Sequence, residues 1–201
     1  CVTGSSRKSS TPTNGTRRDG VPVRTTGAPV VFCADEQTDV AVDVERWSRL
    51  AHVVLAEERV VPRYGADVEM SLLFVDETTI AGLNVRYLDG DGPTDVLAFP
   101  IDDEPVPSGR RPDEGGRGPG AEAAATDPPA VLGDVVVCPT VALRQASERG
   151  TPADDEIALL VVHGVLHLLD YDHQESEERA LMQRREQEIL GRFRESERGG
   201  A

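Results

Sequence analysis

Aromatic side chains make up only 4% of the 201 residues, lysine occurs once, at Lys8, and cysteine three times, at Cys1, Cys33 and Cys138. The cysteines are scattered and form no C-x-x-C pair, which excludes a disulfide framework and favours a reducing, cytoplasmic setting. No apolar run approaches the roughly 18–20 residues needed to cross a bilayer, so membrane insertion is excluded. Positive charge is also short, with 21 Lys+Arg against 36 Asp+Glu and a net charge of −15. That balance argues against a broad basic surface for nucleic acid, because phosphate neutralisation supplies most of the affinity of such surfaces. With lysine nearly absent, almost every cation is arginine, which in a chain rich in Ala, Gly and Val reflects GC-rich coding rather than function. What remains is a length suited to one domain and 38% hydrophobic content, enough for one modest core.

The charge is unevenly spread. Residues 1–29 hold Arg7, Lys8, Arg17, Arg18 and Arg24 against Asp19, while the remainder holds sixteen cations against thirty-five acids. Ser, Thr, Gly and Pro fill this segment, which cannot bury enough surface to offset the entropy of ordering and is expected to be a disordered basic arm. It carries no apolar secretory core. Since the chain opens on Cys1 rather than Met, part of the segment is read as an upstream or processed stretch.

The folded unit is expected over 30–198. Val30–Ala34 reads as a strand. Val44, Trp47, Ala51, Val54 and Leu55 share one helical face behind an Asp43 N-cap, with Pro62 closing that helix. Alternation of Val68, Met70, Leu72 and Phe74 marks a second strand, and Asp76 caps a helix carrying Ile80, Leu83 and Tyr87. After the turn-rich run 89–93, Thr94–Phe99 reads as a third strand ended by Pro100. Residues 102–130 hold six Pro and five Gly in 29 positions and are expected to form a long disordered loop. Val131–Cys138 is a fourth strand, Pro139 opens a helix to about Glu148, and Thr151–Asp155 leads into an apolar, mostly buried helix. Glu175–Arg198 forms a charged outer helix anchored by Ala180, Leu181, Ile189, Leu190 and Phe193.

Three of the four histidines fall within 163–173, at the end of the buried helix. His163 and His167 are four apart, so their imidazoles share a face and can share a metal ion. A straight helix would carry His173 about 600° round from His167. The third ring therefore joins them only if the helix breaks near Leu169-Asp170, where Asp170 is a tolerable residue for a left-handed ending. Three neutral imidazoles leave the open fourth position of a catalytic zinc site, filled by water whose pKa the ion lowers to about 7. The plainer alternative is three histidines at a helix end meeting carbonyls or solvent. His52, at the margin of the first helix's apolar stripe, is expected to be structural. The same histidine spacing occurs in metzincin proteases, H-E-x-x-H-x-x-G-x-x-H, but Gly164 occupies the place of their general-base Glu and Asp170 that of their turn Gly.

The run H-G-V-L-H-L-L-D-Y-D-H resembles the signature H-G-x-L-H-L-x-G-Y-D-H of the YbeY endoribonucleases, or rRNA maturation factors. Leu83-Asn84 with Tyr87, Pro93–Pro100 and Leu132–Val137 follow in family order, so the resemblance covers Val30 to about Glu195. It implies a small α+β domain with a mixed four-stranded sheet, a zinc site at the end of a buried helix holding one ion per chain on His163, His167 and His173, and processing of ribosomal RNA, notably the 16S 3′ end. Implied partners are ribosomal RNA, the small-subunit precursor and ribosome-associated helper proteins, with no membrane. Leu88 stands where many members carry an RNA-engaging Arg, making Arg86 a stand-in. Ala98 replaces the Ser before Phe-Pro, and Asp170 the signature Gly. Asp95 and Asp134 are the carboxylates expected to move a proton or orient a histidine, each with a plainer reading as a turn or capping residue. The alternatives are a non-catalytic metal-containing assembly factor and, further off, a zinc metalloprotease.

Overall fold

In the computed structural model, which describes residues 28–64, 67–88, 90–101, 129–171 and 175–199, alternating burial separates the two faces of one sheet. Its strands are β1 (Val30–Asp35), β2 (Val68–Phe74), β3 (Val96–Pro100) and β4 (Ala130–Val137), in the order β1-β2-β4-β3. β1, β2 and β4 run parallel and β3 is antiparallel to β4. Among the described residues six helices accompany the sheet: α1 (Val44–Glu57), α2 (Val60–Tyr64), α3 (Glu77–Leu88), α4 (Pro139–Arg149), α5 (Ala153–Leu168) and α6 (Ser176–Gly199). This is the expected single α+β unit with a mixed four-stranded sheet. No helix among the described residues is long and apolar enough to cross a membrane. The expected basic arm at 1–29 lies outside the described residues but for its last two positions, and so does the expected 102–130 loop but for Pro129 and Ala130. Ala130 already belongs to β4.

One face of the sheet carries Met70, Leu72, Phe74, Val135 and Val137, packed with Trp47, Leu50, Ala51, Val54 and Leu55 of α1, the apolar length of α5, and Met182, Ile189, Leu190 and Phe193 of α6. The other carries Leu97, Val136 and Cys138 against Ile80 of α3 and Val141 of α4. α5 thus lies in the larger core, buried on nearly every side, as its unbroken apolar run requires. Burial also pushes the Cys33 thiol up to about 12 and raises that of Cys138, so neither is disposed to ionise as a nucleophile.

Local chemistry sets most boundaries. Asp43 accepts from the Arg46 N–H at 2.9 Å and Asp76 from Thr79 at 2.7 Å, capping α1 and α3. Pro62 does not close α1. That helix stops at Glu57, Arg59 turns with φ 52°, and Pro62 sits in the first turn of α2, where a missing N–H costs nothing. Likewise Pro100 is the last residue of β3 rather than a stop just after it, because an edge strand tolerates a residue that cannot donate. Between β2 and β4 the register slips after Glu69, leaving Leu132 of β4 as an extra residue. Gly133 follows with φ 132°, and a Cβ there would lie 2.1 Å from the Phe99 carbonyl oxygen, so only glycine fits.

α6 is held on by charge as well as by its apolar stripe. Arg46 reaches Glu197 at 2.7 Å and Asp154 at 2.5 Å, Arg194 reaches Asp155 at 2.9 Å, and Arg192 meets Glu57. Arg192 holds the Glu57 carboxyl below its ordinary value, and Arg46 does the same to Glu197. A carboxylate with a depressed folded pKa contributes stability that is complete above its unfolded value and is lost as pH falls through the folded one. Thermal stability is therefore expected to drop on acidification below about pH 4.3. An Arg46→Met, Arg192→Met variant should show a shallower drop in a calorimetric pH series, and an unchanged slope would discount these pairs.

Candidate active site

The last two turns of α5 present His163 and His167 on one side, both half-buried. The helix then ends as a Schellman turn: the Tyr171 N–H bonds to the Leu166 carbonyl at 3.1 Å, the Asp170 N–H to that of His167 at 3.3 Å, and Asp170 takes φ 67°. The chain reverses where the sequence places the break. Asp170 is further tied to Arg63 at 2.8 Å. His173, two residues beyond Tyr171, lies outside the described residues.

The two rings meet edge to face, 4.6 Å between centroids and 82° between planes, with Nε2 of each 3.1 Å from Nε2 of the other. The Nδ1 of His163 lies 2.7 Å from Oε1 of Glu186, a buried carboxylate on α6. An ionised carboxylate can only accept, so Nδ1 carries the proton, and the Nε2 of a neutral His163 is left with its lone pair. Two imidazoles sharing one divalent ion at 2.0–2.1 Å in tetrahedral geometry would hold their donor atoms about 3.3 Å apart. The observed separation and the fixed tautomer fit that requirement. Among the described residues no group of three or more His, Cys, Asp or Glu is gathered for a metal ion.

A cavity of about 280 Å³ opens beside His163, walled by Glu186, Asp95, Arg149, Arg179 and Gln183 over a floor that includes Leu160 and Val96. Asp95 thus shares this cavity with His163, though its Oδ1 already accepts from the Val96 N–H at 2.8 Å and the Thr94 hydroxyl at 3.1 Å. Arg149 donates to the buried Glu156 at 2.5 Å. Arg86 and Asp134 do not line this cavity. Arg86 lies on α3, across the sheet from α5, with its guanidinium 5.1 Å from the Tyr87 ring centre. Asp134 precedes Val135, whose methyls face Gly164 of α5, so strand alternation turns Asp134 to the far face. His52 bonds through Nδ1 to the Ser48 carbonyl at 2.8 Å within its own helix, a structural role.

A second tie secures the reversal after α5. The Tyr171 hydroxyl donates to Oε2 of Glu58 at 2.8 Å, and Arg185 of α6 donates to Oε1 at 2.5 Å. Burial, and then the Glu58 carboxylate, raise the phenol's pKa, so at neutral pH it is a donor. Tyr171→Phe keeps the ring and removes the bond. It is expected to cost about 1–2 kcal/mol in urea unfolding, the worth of a partly exposed hydrogen bond to a charged acceptor. No measurable loss would show the tie to be idle.

The model of the family described as Endoribonuclease YbeY matches residues 32–194. Proteins named endoribonuclease YbeY are similar to this chain: that of Thermobifida fusca is 44% identical over 80% of this chain and 92% of its own length. That of Pelotomaculum thermopropionicum is 42% identical over 81% and 96%. The chain belongs to the YbeY endoribonuclease family. The YbeY protein of Salinispora tropica is 49% identical over 63% of this chain and 74% of its own length. A solution structure of a Thermotoga maritima protein is 23% identical, with a TM-score of 0.48, covering 84% of this chain and 93% of that one. The YbeY match begins within β1 and spans β2, β3, β4 and the whole of α5, so the histidine pair, Glu186 and the cavity all fall inside it.

Sequence reasoning did not find Glu186. The signal was present, because Met182, Glu186, Ile189 and Phe193 follow the 4-3-4 spacing of one buried helical stripe. A carboxylate on such a stripe requires a partner. The anchors expected at Ala180 and Leu181 are instead exposed, since they lie off that stripe.

Proposed function

We propose that this chain is a zinc-dependent endoribonuclease that cuts single-stranded RNA in the cytoplasm, acting on ribosomal RNA of a small-subunit precursor at the 3′ end of the 16S species. The observation that carries the reading is the convergence of the His163 and His167 Nε2 atoms, 3.1 Å apart, beside a cavity that includes two arginines. Membership of a family whose members are named endoribonucleases supports the reaction class.

One zinc per chain would be held by His163, His167 and His173. Bound zinc supplies a Lewis acid and lowers the pKa of water, giving a nucleophile or base near neutral pH. His163 contributes its Nε2 lone pair while Glu186 holds the proton on Nδ1. Arg149 and Arg179 place guanidinium groups in the cavity wall, where phosphate oxygens can accept from them. Asp95 is the carboxylate placed to take or return a proton there. Arg86 and Asp134 stay outside this mechanism. A net charge of −15 gives little affinity for free RNA, so the precursor particle or a helper protein supplies docking.

Metal-replete protein incubated with single-stranded rRNA fragments, under inhibitors of contaminating ribonucleases, should yield discrete products. Chelation should abolish them and zinc restore them. Products that survive chelation refute metal dependence. A zinc-loaded protein that binds the precursor and leaves its RNA intact is the assembly factor instead. Peptide hydrolysis has no support at position 164, because Gly164 faces Val135 and Val96 in the core rather than the histidines.

A further inference from the structure

We propose that Glu186 is the positioning residue of the histidine pair: through its bond to Nδ1 it fixes the tautomer and ring orientation of His163, and so sets how tightly the site holds zinc. The inference rests on the metal-centre reading above but goes beyond it, since it assigns a role to a residue of α6.

Glu186 occupies a position that packing alone would give to leucine. It is 7% exposed and lies on the stripe that carries Met182, Ile189, Leu190 and Phe193 into the core. Buried charge is costly unless it is paired. It meets the His163 imidazole at 2.7 Å, with the carboxylate 10% and the ring 28% exposed. The neutral ring can carry its proton on either nitrogen. With the proton on Nε2, His163 would present an N–H toward His167 and could not be a ligand. The carboxylate removes that alternative, and by accepting the bond it makes the ring a stronger donor. α6 in turn is fixed by Arg185 on Glu58 and by Arg46 on Glu197, so Glu186 is presented from a rigid element.

The test uses the full chain and three variants: Glu186→Leu, Glu186→Gln and His167→Ala. Glu186→Leu fills the apolar stripe, so its melting temperature should equal or exceed that of the parent. Its zinc affinity, measured by competition with a chromophoric chelator, should fall by about 10–100-fold. Glu186→Gln still accepts from Nδ1 and should keep more affinity than the leucine variant. Nitrogen-15 spectra of the metal-free protein should show His163 protonated on Nδ1 in the parent and losing that preference in Glu186→Leu. Unchanged zinc affinity in Glu186→Leu, or an Nε2-protonated ring in the parent, overturns the proposal. A lower melting temperature with unaltered affinity would assign Glu186 to stability alone and overturn it too. Failure of the site itself reads differently: zinc would then bind the parent and His167→Ala equally, whereas failure of this proposal leaves those two apart.

Discussion

Glutamate installed at position 164, where a metzincin carries its general base, is expected to prevent folding rather than to create a protease. Gly164 is buried, and a Cβ there would lie 2.5 Å from Val135 Cγ1 and 3.3 Å from both Val135 Cγ2 and Val96 Cγ2. Valine is branched at Cβ and stiff, and Val135 is fully buried, so the methyls cannot step aside cheaply. A carboxylate forced between α5 and the sheet would add the cost of an unpaired buried charge. Gly164→Ala isolates the steric part. Overpacking of this kind costs about 1–3 kcal/mol, against about 1 kcal/mol returned by the better helix propensity of alanine. A loss of up to about 2 kcal/mol should remain, a fall of as much as several degrees in melting temperature. Val135→Ala in the same chain should relieve it, giving a coupling in a double-mutant cycle. If Gly164→Ala is as stable as the parent and Gly164→Glu folds, the close approach of α5 to β4 is not what requires glycine here.

His167→Ala should abolish RNA cleavage while leaving the fold intact. The ring is half-buried at the open end of α5, beyond the packed stretch from Ile157 to Leu166, so truncation leaves the main core untouched. Loss of a partner that merely orients a metal-bound histidine costs about 10–100-fold in affinity or activity, and loss of the imidazole itself should exceed that. The decisive comparison is turnover of an rRNA fragment together with zinc content in matched preparations. Equal cleavage by parent and variant would trace the activity to a contaminant. Full zinc retention in the variant would remove His167 from the coordination sphere.

Much of this site was legible in the residues themselves. The i,i+4 histidines and the need for a break near Asp170 are local facts, and the Schellman turn with φ 67° at Asp170 supplies the break in the expected place. Caps at Asp43 and Asp76 and the alternation of β2 are equally local. What escaped depends on tertiary placement. Glu186 acts on a histidine 23 positions earlier, and nothing in a helix as charged as α6 marks which of its carboxylates turns inward until the stripe is aligned with a core. Arg86 and Asp134 look suitable by residue type, yet the sheet stands between α3 and α5, and only the register of β4 shows which way Asp134 faces. By sequence Pro62 and Pro100 look like stops, because proline lacks a donor. A first helical turn and an edge strand are the two settings in which that lack has no consequence.

The sixteen-residue α5 carries the two imidazoles on its last two turns, close to its carboxyl end. Aligned peptide dipoles give such an end a partial negative charge, worth about 0.3–1 kcal/mol to a nearby cation at exposed sites and more where water is scarce. The same field repels a phosphodiester. A metal ion held by the two rings would be favoured by that helix end, and a phosphodiester would be disfavoured there until such positive charge was in place.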